Sequence, residues 1–334
     1  MLKKADSPLP EIAVHDVGED WPVETLERAL DETHALLDEA AADYPTIALK
    51  IGDDISRRWL ERAQNPYLGE LDRISALIGR PGAYYFNASY EWTCSTNAGA
   101  APDGRSARLM RVLDWQTPGL GRHVIAARIA GEAGPWISMT WPGYTGVLQA
   151  MAPGRFAAAI NQAPMARSVG LLPLDWMMNR AGIWKSAEPT PEHLLRRVFE
   201  TALDYTEAKR VLTDTPLCVG AIYTLCGVSP GEACVIERTE TEAYVVEGPA
   251  SAANAWQNPA WGGRVRGENN QSRYEMMTAQ ERRLDDFSWL QPPVRNDLTR
   301  LAMVADPARG QMIAQGYEAE GPVTRVLSLE TETA

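Results

Sequence analysis

Histidine and cysteine are scarce in this chain, with four of each among 334 residues. His15, His34, His123 and His193 lack metal-ligand spacing, and Cys94, Cys218, Cys226 and Cys234 form no Cys-x-x-Cys pair, so no metal site, redox centre or cofactor is expected. Long apolar runs are missing too, and none approaches the roughly 20 residues of a membrane-spanning helix. Met1-Leu2-Lys3-Lys4 leads into Ala5-Asp6-Ser7-Pro8 rather than an apolar signal core, which sets the expectation of a cytoplasmic chain with reduced cysteines. Excess positive charge is absent: the formal net charge is −12, the basic residues are dispersed, and nucleic acid is not an expected partner. There is no phosphate loop. Gly119-Leu120-Gly121-Arg122 lacks the third glycine of a dinucleotide loop and precedes a strand, so it reads as a turn.

The chain can bury a large core, since 45% of its residues are hydrophobic. The first 93 residues read as largely helical. Leu26, Ala29, Leu30, Thr33 and Leu37 share one face between Trp21 and Asp43, and Ile55 to Ile78 continue that texture. From Cys94 onward the pattern turns to strands, at Cys94 to Ala100, Leu109 to Trp115, His123 to Ala130, Trp136 to Trp141, Gly143 to Met151 and Phe156 to Asn161. Helices are expected at Leu174 to Trp184 and Glu192 to Leu212. Strands return at Cys218 to Cys226, Ala233 to Arg238 and Ala243 to Val246. Arg273 to Leu284 and Asn296 to Val304 read as helices, and Gln311 to Ala314 with Val323 to Leu329 as closing strands. Two blocks of strands separated by helices suit a layered α+β domain.

Cys94 stands out chemically. A cysteine is a strong nucleophile only as thiolate, and no histidine lies near this one in sequence. Cutting between Thr93 and Cys94 would free an α-amino group, an adjacent base with a reference pKa of roughly 7.7 to 8. Ala101-Pro102-Asp103-Gly104 supplies a turn, so Cys94 begins a hairpin whose returning strand ends with Arg111 and Asp114. The competing reading is a buried free cysteine on a strand, the commoner fate of a single cysteine. Trp136, Trp141, Trp256 and Trp261 are candidates for an apolar acyl pocket, or else core residues.

Several segments occur in a telling order: Cys94-Ser95-Thr96, Arg111-Val112-Leu113-Asp114-Trp115, Trp141-Pro142-Gly143-Tyr144-Thr145-Gly146, and Pro153-Gly154 through Phe156 to Asn161. Gly231 to Arg238, Ala253-Asn254-Ala255-Trp256 and Ser272-Arg273 follow. This order resembles the acid ceramidase and N-acylethanolamine acid amidase group of N-terminal nucleophile (Ntn) cysteine hydrolases, related to choloylglycine hydrolases and penicillin-side-chain acyltransferases. The resemblance runs from about Tyr44 to about Leu327. It implies a four-layer αββα sandwich preceded by a helical N-terminal segment, residues 1–93, which becomes the small subunit or propeptide when residues 94–334 form the catalytic domain.

The resemblance also implies roles. Cys94 matches the nucleophile, Arg111 the arginine beside it, Asp114 the carboxylate that holds the new amino group, Asn161 and Asn254 the oxyanion donors, and Arg273 a late member of the charged cluster. Each role suits its chemistry: arginine lowers a thiolate pKa, a carboxylate orients an ammonium, and a carboxamide donates to an oxyanion without a charge to desolvate. Asn258 competes with Asn254 for its position. Gln162 stands where the lipid amidases carry a glutamate, and Arg111 lies one residue further from the cysteine than their usual spacing. The implied function is an autoproteolytically activated amidohydrolase that cleaves a nonpeptide N-acyl amide through a Cys94 thioester, needs no cofactor, and keeps its two fragments associated. A homo-oligomer stays open, as do an acyltransferase passing the acyl group to an amine and a noncatalytic binding protein on the same fold.

Overall fold

Two β-sheets face one another in the computed structural model, which describes residues 8–41, 45–88 and 92–331. Tyr44, Tyr90 and Glu91 lie outside the described residues, as do the ends of the chain. Strand β1 (Ala13–Val17) comes first, followed by helices α1 (Trp21–Arg28), α2 (Leu30–Ala41), α3 (Thr46–Arg62), α4 (Leu68–Ile78) and α5 (Ala83–Asn87). Next come β2 (Trp92–Ala100), β3 (Ala107–Trp115), β4 (Ile125–Ile129), β5 (Trp136–Thr140), β6 (Gln149–Ala152) and β7 (Phe156–Gln162). After α6 (Leu172–Lys185), α7 (Pro191–Thr201) and α8 (Tyr205–Asp214), the chain forms β8 (Ala221–Cys226), β9 (Ala233–Arg238), β10 (Ala243–Glu247) and β11 (Ala250–Ala252). Helix α9 (Asn270–Ala279) precedes β12 (Thr299–Asp306), β13 (Gln311–Glu318), β14 (Gly321–Pro322) and β15 (Leu327–Glu330).

One sheet runs β1-β4-β5-β6-β7-β8-β9-β10, and the other runs β11-β2-β3-β12-β13-β14 with β15 also on β13. Cys94, Leu109, Leu113, Leu301 and Met303 meet Ala127, Met139, Ala159 and Tyr223 between them. Helix α7 covers the outer face of the first sheet, where Phe199 stacks on Trp136 at 5.4 Å. Helix α9 covers the second, where Met277 packs on Met110 and Val112. The result is the four-layer αββα sandwich, with apolar side chains from both sheets filling the space between them.

Four features differ from expectation. The first 93 residues are largely helical, but a strand among them is unexpected: β1 pairs in parallel with β4 from Ala13↔Ile125 to Val17↔Ile129 and extends the larger sheet. Its five residues carry little periodicity, and their partner lies far along the chain. Residues 299–304 are strand rather than helix, because β12 lies between β3 and β13, buried on both faces and without visible alternation. The long helix expected from Glu192 to Leu212 is two, divided where Asp204 accepts from Glu207 N at 2.8 Å and caps α8. Residues 143–148 form turns ahead of the short β6 rather than one strand. No helix among the described residues is long and apolar enough to cross a membrane.

A buried polar seam joins the N-terminal segment to the rest. Arg196 on α7 donates to Glu70 of α4 through Nη1 and Nη2, at 2.6 and 2.7 Å, and to Glu200 through Nε at 2.7 Å. His193 Nδ1 lies 3.0 Å from Asn65 Nδ2, and its Nε2 lies 3.0 Å from Thr145 Oγ1. Because Asn65 can only donate there, the ring is neutral with its proton on Nε2.

Two neighbours in this seam oppose each other as pH changes. Burial pushes Glu192 up to about 7 from an ordinary value of 4.5, so its contribution to stability falls as pH rises from 4.5 through 7. Burial, with Arg196 adding to it, pushes His193 down to about 3 from 6.5, so its contribution is lost as pH falls from 6.5 through 3. Between pH 4.5 and 6.5 the two cancel. Glu192→Gln is expected to unmask the histidine, with urea unfolding at stepped pH showing a loss of about 1.4 kcal/mol per pH unit as pH falls from 6.5 to 4.5 that the wild type lacks. A wild-type slope equally steep would mean that Glu192 is already ionised in the fold.

Candidate active site

Antiparallel pairing of β2 with β3 sets Cys94 opposite Leu113, Thr96 opposite Arg111 and Thr93 opposite Asp114. Side chains alternate along a strand, so Cys94, Thr96 and Arg111 face the space between the sheets, while Thr93, Ser95 and Asp114 face the α9 layer. The sequence reason is local: small residues in Cys94-Ser95-Thr96-Asn97-Ala98-Gly99 let the first sheet and α9 approach the two faces of β2.

Between the sheets, Arg111 donates from Nη1 to Asn161 Oδ1 at 2.9 Å and from Nε to Gln149 Oε1 at 3.3 Å. Its Nη2 is buried without a hydrogen-bond partner among the described residues. Asn161 spends its own Nδ2 on Ala252 O and Ala253 O, at 3.2 and 3.0 Å.

On the other face, Arg273 of α9 donates from Nη1 to Cys94 O at 2.8 Å and to Ser95 Oγ at 3.2 Å, and lies 3.8 Å from Asp114 Oδ2. Asp114 accepts from Thr299 Oγ1 at 2.8 Å and from Asn296 Nδ2 at 2.9 Å. Asn254 Oδ1 accepts from Cys94 N at 2.8 Å and from Arg273 Nη2 at 3.2 Å, while its Nδ2 donates to Gln162 O at 2.8 Å. Two donors on one side and a carbonyl on the other fix the orientation of this amide. In the uncut chain both asparagines therefore turn N–H groups onto backbone carbonyls, and Asn254 presents an acceptor to Cys94. Asn258 stands elsewhere: its N–H donates to Glu237 Oε2 at 2.9 Å.

The thiol is sealed. Cys94 is 0% exposed, and burial pushes it up to about 11 although Arg111 and Arg273 pull the other way. Burial also raises the Asp114 carboxyl against the hydrogen bonds and arginines that favour its charged form. Thr93, not Cys94, lines the adjoining cleft of about 1350 Å³, with Trp92, Asp114, Gln162, Arg273 and Asn296. Gly267 sits over Thr93 with φ +66°, and a Cβ there would stand 2.8 Å from Thr93 Cγ2.

Sequence reasoning missed four supports: Gln149, Asn296, Thr299 and Asn270, whose Oδ1 takes Asn254 N at 2.8 Å and Arg273 Nη2 at 3.2 Å. None stands in a local motif, although Asn270 lies three positions before Arg273 and shares its helix face. None of the four tryptophans weighed as pocket lining or core stands on the main cleft. Trp136 is core and Trp141 lines a separate cavity of about 110 Å³, while Trp256 and Trp261 line another of about 210 Å³. The aromatics on the main cleft are Trp92 and Trp176.

The architecture has a solved counterpart in the Caenorhabditis elegans N-acylethanolamine-hydrolyzing acid amidase ortholog, with a TM-score of 0.50 and 19% identity over 71% of this chain and all (100%) of that one. The chain has the Ntn hydrolase fold. In sequence it is similar to acid ceramidase from Macaca fascicularis, 32% identical over 108 residues, and from Mus musculus, 34% identical over 104. Those matches cover 32% and 31% of this chain, and 26% and 25% of the ceramidases, so it spans about a quarter of their length. No family model matches the chain. The resemblance to the acid ceramidase group of Ntn hydrolases thus stands on both comparisons.

Proposed function

We propose that this chain is the precursor of a cysteine amidohydrolase, cut by itself between Thr93 and Cys94 and then active on an N-acyl amide. The observation that carries the reading is the grip on one residue: Asn254 holds the Cys94 N–H, Arg273 holds the Cys94 carbonyl, and the thiol is wholly buried between the sheets. A cysteine meant for outside substrate gains nothing from such a seal. A cysteine meant first for its own preceding carbonyl does.

In the first reaction the thiol gives up its proton and sulfur attacks the Thr93 carbonyl carbon. The Thr93–Cys94 C–N bond breaks, the nitrogen leaves as an amine, and water hydrolyses the thioester to a Thr93 carboxylate and a free thiol. The new α-amino group then serves as base. Sulfur attacks the substrate carbonyl, the amine half departs with a proton, and water releases the acid from the acyl-enzyme. Arg111 Nη2 and Arg273 Nη1 supply positive charge on opposite faces of Cys94, and Asp114 balances Arg273. Leu172, Pro173, Trp176, Met177 and Val265 form an apolar wall on the cleft that suits an acyl chain. Products are the direct test: mass spectrometry should find fragments 1–93 and 94–334, and the processed protein should release acid and amine from N-acyl amides. Processed protein that releases neither from a broad panel would overturn the reading.

The orientation of Asn254 gives a finer test. If it holds the Cys94 amine as an acceptor, Asn254→Ala in processed enzyme should lower kcat by roughly a hundredfold, while Asn254→Asp, which keeps the acceptor, stays within about tenfold. Equal losses in both would mean that the carboxamide turns and donates to the oxyanion. Asn258→Ala should leave kcat unchanged.

A further inference from the structure

Arg111 is a wholly buried cation held without a carboxylate. None among the described residues lies within 4.0 Å of it, whereas the buried Arg108, Arg196 and Arg300 reach Asp306, Glu70 and Glu318 at 3.1, 2.6 and 3.6 Å. Two of its nitrogens meet neutral carboxamides instead, Nη1 on Asn161 Oδ1 and Nε on Gln149 Oε1. The third, Nη2, is buried with no hydrogen-bond partner among the described residues. Cys94 and Arg111 are diagonal neighbours on one face of the β2–β3 hairpin, Cys94 opposite Leu113 and Arg111 opposite Thr96, a separation that a side chain as long as arginine spans. Burial raises the Cys94 thiol, and Arg111 opposes it both as a charge and as a hydrogen-bond partner.

Gln149, at the start of β6, is 0% exposed, and a buried amide is costly unless both its ends are bonded. Its Nε2 donates to Met139 O at 2.5 Å, where the β5–β6 ladder gives out after Ser138↔Ala150. That bond decides which end of the amide faces Arg111: nitrogen goes to the carbonyl and oxygen to the guanidinium, at 3.3 Å from Nε. A carboxylate in this place would grip the arginine more strongly and take up its charge. A carboxamide grips it and leaves the charge for a thiolate.

We infer that Gln149 is a positioning residue for the cysteine: it holds Arg111 through a neutral acceptor, so that the unpaired Nη2 and its charge fall to the Cys94 sulfur. The inference rests on the reading of Cys94 as the nucleophile and adds a residue to it. Gln149 touches neither the sulfur nor a substrate and acts through Arg111. The other charges that bear on the thiol are Asp114 of β3 and Arg273 of α9, while β7 and β8 bring the uncharged Asn161 and Thr224 to this space.

The test is alkylation of Cys94 by iodoacetamide, followed across pH on processed protein by peptide mass. Below its midpoint the rate tracks the thiolate fraction, and loss of a held positive charge raises that midpoint. Gln149→Met, similar in size but without the acceptor, should raise it by about one pH unit, slow alkylation about tenfold at a fixed pH below it, and lower kcat about tenfold with KM unchanged. Gln149→Asn, still a carboxamide but a methylene short of Arg111, should do the same and serves if the methionine variant does not fold. The control is Tyr223→Phe, which removes a buried hydrogen bond to Pro191 O at 3.0 Å without touching Arg111, and should lower Tm while leaving the midpoint in place. A residue that merely packs would give the opposite sign, because a loosened interior exposes the thiol and alkylates faster. Unmoved midpoints in both Gln149 variants, faster alkylation, or an equal shift in Tyr223→Phe would overturn the inference and leave the nucleophile standing. A wild type that never cuts would sink the amidohydrolase instead. The tenfold slowing must then be found in uncut protein, where equal rates in wild type and Gln149→Met would sink the inference as well.

Discussion

Cys94→Ala should remain one full-length chain under conditions that convert the wild type to fragments 1–93 and 94–334, and should show no turnover of any acyl amide above background. The two losses have a single cause. Without sulfur there is no nucleophile to attack the Thr93 carbonyl, so no α-amino base is made, and nothing remains to accept an acyl group. Unfolding is not the explanation, since deleting one small buried atom costs little beside the Asn254 and Arg273 hydrogen bonds, which attach to the backbone of residue 94 and survive the change. Incubation from mildly acidic to neutral pH followed by intact-mass measurement reads the first loss, and an amide assay reads the second. A wild type that stays uncut and still hydrolyses amides would sink the N-terminal nucleophile mechanism. Should the wild type cut while Cys94→Ala cuts too, a different residue performs the cleavage.

Arg196→Met is expected to be the most destabilising single change in the seam between the fragments. Arg196 is almost wholly buried and is shared by Glu70, Glu200 and the Thr145 carbonyl, with its guanidinium carbon 3.9 Å above the Tyr67 ring. Removing it strands two carboxylates close together, with Tyr67 left donating to Glu200 at 2.8 Å. Breaking a buried pair from one side costs about 3–5 kcal/mol, or on the order of 10 °C in Tm for a chain of this size. In cleaved protein the same change should let residues 1–93 elute apart from 94–334, because Glu70 and Arg196 lie on opposite sides of the cut. Strand β1 opposes that separation through its pairing with β4. Arg325→Ala is the control: its pair with Glu11, at 2.8 Å, is exposed and should scarcely move Tm. Similar shifts in both variants would mean that the seam is not held by its charges.

What the sequence alone determined was short-range. Thr93-Cys94, the turn at Pro102-Asp103-Gly104 and the returning Arg111 and Asp114 define a hairpin, because turn chemistry and strand texture are local properties. The αββα expectation came from the ordered segments rather than from periodicity, and the two sheets agree with it. Tertiary structure decided the rest. Strand β1 exists because β4 offers its hydrogen bonds, and β12 is strand because β3 and β13 flank it, although neither stretch alternates enough to reveal itself. The same holds at the site. Cys94 and Asn254 are 160 residues apart, and whether that asparagine turns its oxygen or its nitrogen toward the cysteine depends on Gln162 and Arg273, brought beside it by other strands and by α9. A residue type announces which hydrogen bonds it can make, and only the packed neighbours decide which of them it does make.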